Sequence, residues 1–183
     1  MKVKLSGNKR SMSNNPERYL GYIALALIIA FVVIVRINLL GIPFERDEGC
    51  YGYFGQLILD GATPYVSFYE IKPPGLYYAY ALIIMIFGNT IEGLHTGFLV
   101  FNVLTVLFLY FIGKRLFDNF TGLIAAGSYA ILSLALPVSG FTTQSEHLIT
   151  LFSTAGLLVM LRGFKSEKLL YIFLSGVLVS LAS

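Results

Sequence analysis

Charge is scarce in this chain. Only 13% of the 183 residues are Asp, Glu, Lys or Arg, and 56% are hydrophobic. A soluble domain carries about 25% charged and 45–50% apolar residues, so an ordinary water-soluble domain is excluded. Cysteine is nearly absent as well. Cys50 stands alone, which rules out an intrachain disulfide. No CxxC pair or Cys/His cluster is present, so a structural zinc site is not expected. The two histidines, His95 and His147, are far apart in sequence. A net charge of +3 is small, and no nucleic-acid partner is expected.

What is there in quantity is long apolar runs, with a mean hydropathy of +0.76. Such runs point to membrane spans. The basic tail, residues 1–18, holds Lys2, Lys4, Lys9, Arg10 and Arg18 and reads as cytoplasmic. The following run, Tyr19–Leu40, exceeds the roughly 7–15 residues of a signal-peptide core, and no small-x-small cleavage site follows. It reads as an uncleaved anchor. Further full spans are expected at Glu92–Ile112, Thr121–Ser139 and Thr143–Leu161. A fifth apolar run, Leu169–Ser183, is short of the roughly 20 residues a spanning helix needs, so an N-terminal part of a longer protein is expected. The fold class is all-α membrane: a multi-pass helix bundle over residues 19–183.

Gly75–Phe87 is apolar but would cover only about 20 Å as a helix, against roughly 30 Å of hydrocarbon. If it does not span, the tail, Lys114/Arg115 and Arg162/Lys165/Lys168 all face the cytoplasm, as the positive-inside rule prefers. It is therefore expected to lie in the outer interface, with Tyr77, Tyr78 and Tyr80 at the membrane boundary. Residues 42–91 then form one extracytoplasmic loop. Glu45, Asp47, Glu48, Asp60, Glu70, Glu92 and Glu146 collect on that side. Arg36 is expected to snorkel from the end of the first span.

The loop reads RDEGCYGYFGQLILDGATPYVSFYEIKPPGLYY. After Asp47, apolar residues at Cys50, Phe54, Leu57 and Ile58 predict one helical face on the membrane surface. Asp60-Gly61 reads as its end. A turn at Pro64-Tyr65 follows, and Pro73-Pro74 restrict the backbone beside Lys72. A carboxylate at the lipid–water boundary can take a proton from a hydroxyl, and a cation in the same layer can meet a phosphate leaving group. Asp47 and Lys72 are of those types. Structural readings stand beside these: Asp47 as an N-cap, Glu48 as a helix-dipole partner, Lys72 as a headgroup anchor, Glu146 as a turn residue, the histidines as hydrogen-bonding residues, and the tyrosines as an interface belt.

The succession DEGxY, a helix ending LxG, PYxxF and KPPGxYY, followed by FG, GKRLF and TGLIAA, resembles the GT-C membrane glycosyltransferases over Pro43 to Arg162. More narrowly it is similar to the protein O-mannosyltransferases and lipid A aminoarabinose transferases. The resemblance implies a polyprenyl-phosphate sugar donor, a lipid, glycan or protein acceptor, an inverting transfer and a site facing away from the cytoplasm. By motif, Asp47 would be the catalytic base, with Glu48 supporting it or binding acceptor or a cation, and Lys72 would meet the donor phosphate. Glu146 falls where the family often has an acid. Two departures are visible: Ile71 precedes the lysine, with Glu70 one step earlier, and His95 stands nearest to where an arginine is common. The resemblance fixes no cofactor; a divalent cation is possible, and its ligands are unknown. A transporter or flippase of lipid-linked sugars and a non-catalytic membrane subunit are the competing readings.

Overall fold

The computed structural model describes residues 16–135 and 140–182. The basic tail lies outside the described residues, except for the backbone of Pro16, Glu17 and Arg18. Within them the chain is helical, with no strand. Helix α1 spans Pro16–Ile37, α2 Arg46–Leu59, α3 Pro74–Phe87, α4 Ile91–Leu116, α5 Asn119–Leu132, α6 Ser145–Ser166 and α7 Leu169–Ser180. Three of them are long and apolar enough to cross a bilayer: Tyr19–Ile37 of α1, α4 and α6.

The expected third span differs. α5 has 14 helical residues, about 21 Å at 1.5 Å per residue, and it stops at Leu132; residues 136–139 of the expected span lie outside the described ones. Arg36 is the physical reason. Its guanidinium donates to the carbonyls of Ser133 (2.7 Å) and Gly140 (2.6 Å), and so satisfies a carbonyl that the helix end would otherwise leave orphaned. Arg36 is only 5% exposed. The snorkelling arginine of the sequence reading is instead a buried clamp between α1, the end of α5 and the strand of chain leading to α6.

Two cores result. Leu25 and Val32 of α1 pack with Val106 and Tyr110 of α4 and Ala126 and Ala130 of α5. Tyr51 of α2, Tyr77, Tyr80 and Ile83 of α3, Leu94 and Phe98 of α4 and Leu148 of α6 form the other. Tyr77 and Tyr80 are fully buried, whereas Tyr78 is exposed. Two of the three tyrosines expected at the boundary are therefore core residues.

Helices surrounded by lipid gain little from hydrophobic burial against one another, so close backbone packing carries the association. α4 meets α5 at Gly113 and Gly122. A Cβ on Gly122 would stand 2.6 Å from the Tyr110 carbonyl oxygen and 3.0 Å from the Lys114 nitrogen. α2 lies against α3 in the same manner at Gly55, where a Cβ would stand 2.9 Å from the Ala81 nitrogen. The inward face of α2 is Glu48, Tyr51, Gly52 and Gly55, rotated from the expected Cys50–Phe54–Leu57–Ile58 stripe. Phe54 and Ile58 flank it. Small residues carry no hydropathy signal, and the stripe was read without them. The helix ends as expected, with Gly61 at φ +92° and the Ala62 nitrogen bonded to the Leu57 carbonyl at 2.9 Å.

Both ends of α3 adjoin one end of the bundle. Lys72, just before it, reaches Ser145 at the start of α6. The carbonyls of Phe87 and Gly88, at its far end, lie against Gly93 in the first turn of α4. The hairpin therefore returns to the end from which it left.

Gly122→Ala is expected to force α4 and α5 apart, at a cost of about 1–3 kcal/mol from overpacking. Thermal unfolding in detergent checks this: Tm should fall by several degrees. Gly127→Ala, where the nearest atom would be Ile28 Cδ1 at 3.7 Å, should leave Tm unchanged.

Candidate active site

The site is organised around the N-terminus of α2. Glu45 takes the extended conformation of an N-cap, and its backbone nitrogen donates to Glu48 Oε2 at 2.8 Å. This places a carboxylate on the exposed amides of a first turn, where the helix dipole favours it. Asp47 is thus a first-turn residue, not the cap.

The other oxygen of Glu48 reaches across the fold. Oε1 accepts the backbone N–H of Thr143 and faces His95 Nε2 at 3.4 Å. His95 Nδ1 lies 2.7 Å from the Leu40 carbonyl. A carbonyl only accepts, so Nδ1 carries a proton. Nε2 meets an acceptor that also cannot donate, and the pair is favourable as imidazolium and carboxylate. Tyr80 completes the knot, with its hydroxyl on both the carbonyl and, at 2.7 Å, the Oγ1 of Thr143. Glu48 is fully buried. Burial pushes its carboxyl up, but the facing His95 ring and the backbone N–H groups of Glu45 and Thr143 outweigh this and hold it below the usual carboxylate range; the His95 Nε2 contact itself is too poorly aligned for a hydrogen bond.

Above this knot lies the accessible layer. The Asp47 side chain is 40% exposed, with Arg46 Nε at 3.3 Å; Arg46 itself is 91% exposed, so this is a weak surface pair. Tyr51 is buried beneath it. Its phenol is pushed up to about 12, first by burial and then by the negative charges of Asp47, Glu70 and Glu146. Glu70 Oε1 also accepts its neighbour Ile71's backbone N–H at 2.6 Å.

Lys72 is held by its own backbone. Its carbonyl accepts the hydroxyls of Tyr65 (2.7 Å) and Tyr77 (3.4 Å). Tyr65 is one of two non-glycine residues with positive φ among the described residues, a strain consistent with a loop held in place from outside. The Lys72 ammonium lies 3.5 Å from Ser145 Oγ, which lies 3.3 Å from Glu146 Oε2. Lys72 and Ser145 stand at one side of a cleft of ≈ 90 Å³ whose other walls include Leu76, Leu148, Ile149, Phe152 and Leu181.

Of the sequence candidates, the structure puts Lys72 beside Ser145, whose hydroxyl also meets Glu146, sets Asp47 in the first turn of α2, and leaves Glu70 on the backbone of Ile71, just before Lys72. Glu48 and His95 are paired underneath. Tyr51, Tyr80, Thr143 and Ser145 were missed, although Tyr51 belongs to the DEGxY motif. Among the described residues, no group of three or more His, Cys, Asp or Glu is placed to hold a metal ion.

The family model for dolichyl-phosphate-mannose-protein mannosyltransferases matches residues 71–183. The chain belongs to this family. With three spanning-length apolar helices it is an integral membrane protein of the glycosyltransferase class. The matched segment contains Lys72, His95 and Glu146 of this mannosyltransferase-family chain and begins after Asp47, Glu48 and Glu70. No curated protein and no solved structure matches the chain.

The depressed Glu48 carboxyl sets a pH dependence. A carboxylate with a lowered folded value stabilises fully above the unfolded value of about 4.3, and that contribution is lost as pH falls through the folded value. Tm should therefore hold near neutrality and drop below about pH 4. Glu48→Gln should lower Tm at pH 7, by about 2 kcal/mol of lost charged hydrogen bonding, and flatten the acid slope. An unchanged slope would remove Glu48 from this role.

Proposed function

We propose that this chain forms the donor-side active site of a membrane glycosyltransferase that moves a sugar from polyprenyl phosphate to a hydroxyl on a lipid, glycan or protein. The cleft beside Lys72 is the observation that carries this reading. It puts a cation and a hydroxyl next to an apolar trough, which matches a ligand with a phosphate head and a hydrocarbon tail. The family membership supports the same class of donor.

In this reading Asp47 takes the acceptor hydroxyl proton as the oxygen attacks the sugar's anomeric carbon. The bond from that carbon to the phosphate oxygen breaks with inversion. Polyprenyl phosphate leaves with the bonding electrons, its charge met by Lys72. Tyr51, whose phenol stays protonated through burial first and negative charge second, is a hydrogen-bond donor to the sugar or acceptor. Glu70 and Glu146 bound the polar side of the site. Glu48, fully buried, positions Asp47 through the first turn of α2, and His95 supports Glu48.

The site faces away from the cytoplasm in this reading. Lys114, Arg115, Arg162, Lys165 and Lys168 belong to the opposite ends of α4, α6 and α7, as the positive-inside rule prefers. The candidate site groups sit at one end of the bundle, which favours an enzyme over a transporter with a midplane site.

Asp47→Asn in the full-length protein is expected to reduce transfer from polyprenyl-phosphate mannose by about 10²–10⁴-fold with Tm unchanged, and Lys72→Met to raise KM for the donor. Undiminished transfer by the first variant would remove Asp47 as the base. Sidedness has its own test. Tyr69→Cys and Glu146→Cys, each in a Cys50→Ser background, should both react with a membrane-impermeant thiol reagent added to intact cells. Both native residues are exposed. Reaction of only one of them would place the two loops on opposite sides and break up the site.

A further inference from the structure

The end of the bundle away from the candidate site holds a second cleft. It is lined by Phe111, Lys114 and Arg115 of α4 and Leu158 and Arg162 of α6, with a volume of ≈ 230 Å³. From His95 to Lys114 the helix advances about 28 Å at 1.5 Å per residue, so the two clefts are on opposite sides of a bilayer's thickness.

Three cations converge there from two helices, and among the described residues no acid lines the space. Lys114 has partners, but they are neutral. Its ammonium donates to Tyr110 (3.0 Å) and Tyr22 (3.5 Å) hydroxyls and sits 4.5 Å from the centre of the Tyr22 ring. These contacts fix the ammonium and leave its charge uncancelled. The two ion pairs found among the described residues involve none of the three. A preference for basic residues in cytoplasmic loops explains charges at this end. It does not require them to meet across one cleft, where like charges at the edge of the hydrocarbon repel and are poorly solvated. Phe111, 41% exposed, and Leu158 give the same cleft apolar walls.

We infer that this cleft between the ends of α4 and α6 binds the phosphate headgroup of an anionic phospholipid, with acyl chain lying along Phe111 and Leu158. The phosphate supplies a counter-charge that no described acid gives, and the tail covers the apolar wall of Phe111 and Leu158. The site is separate from the donor cleft and does not depend on its assignment.

Native mass spectrometry of the full-length protein in detergent, titrated with dioleoyl-phosphatidylglycerol or dioleoyl-phosphatidylcholine, tests this. The expected result is preferential phosphatidylglycerol adducts. Arg115→Gln/Arg162→Gln should weaken them about thirtyfold, at about fivefold per cation. Arg115→Lys/Arg162→Lys should restore them, and Lys165→Gln/Lys168→Gln, equal in charge removed but outside the cleft lining, should leave them within about twofold. Equal binding of the two lipids, or an equal loss in both Gln pairs, would overturn the site in favour of a diffuse basic surface. Displacement of the lipid by millimolar inorganic phosphate would overturn the lipid assignment in favour of a free anion. Unchanged Tm across the variants shows that folding is not what is being read.

Discussion

A single buried carboxylate holds the candidate site together. Glu48 joins the first turn of α2 to the Thr143 backbone and to His95 on α4. Each partner satisfies a group that would be costly to bury alone. Remove the carboxylate and the Thr143 N–H and the Glu45 N-cap amide lose their acceptor together. The candidate residues are built on this joint: Asp47 projects from the same turn, Tyr51 packs beneath it one turn further on, and Ser145 and Glu146 follow two and three residues after Thr143.

Arg36 does comparable work for the scaffold. It spans α1, the end of α5 and Gly140, so the segment that delivers Thr143 is fixed at both ends. In a chain with so little charge, the buried Arg36 and Glu48 anchor the end of α5 and the Thr143 backbone just ahead of α6. Apolar packing then fills the space between these points, and glycines at 55, 113 and 122 let the backbones approach closely enough for the geometry to close.

Much of this was legible in the sequence. Hydropathy runs located the long helices within a few residues, the DEGxY and KPPGxYY motifs drew attention to the loop on which the candidate site is built, and Asp60-Gly61 marked a real helix end. The failures have physical causes. α5 was drawn too long because hydropathy does not register a distant arginine taking its terminal carbonyl. Tyr77 and Tyr80 were assigned to the boundary because an amphipathic ring suits both an interface and a satisfied core, and only the Thr143 contact decides for Tyr80. The reach of Glu48 to Thr143, 95 residues away, leaves no local signal, so the spacing shows only its place beside Asp47.

The span between Glu48 and Thr143 has a bearing on synthesis. The two are 95 residues apart, so Glu48 leaves the ribosome long before its partner exists. Through that interval α2 can be held only by contacts with α3 and α4, and its carboxylate must stay hydrated. The accessible layer is therefore completed late, by the arrival of α6, and a nascent chain stalled before that helix would carry a loop with every sequence motif in place but no assembled site.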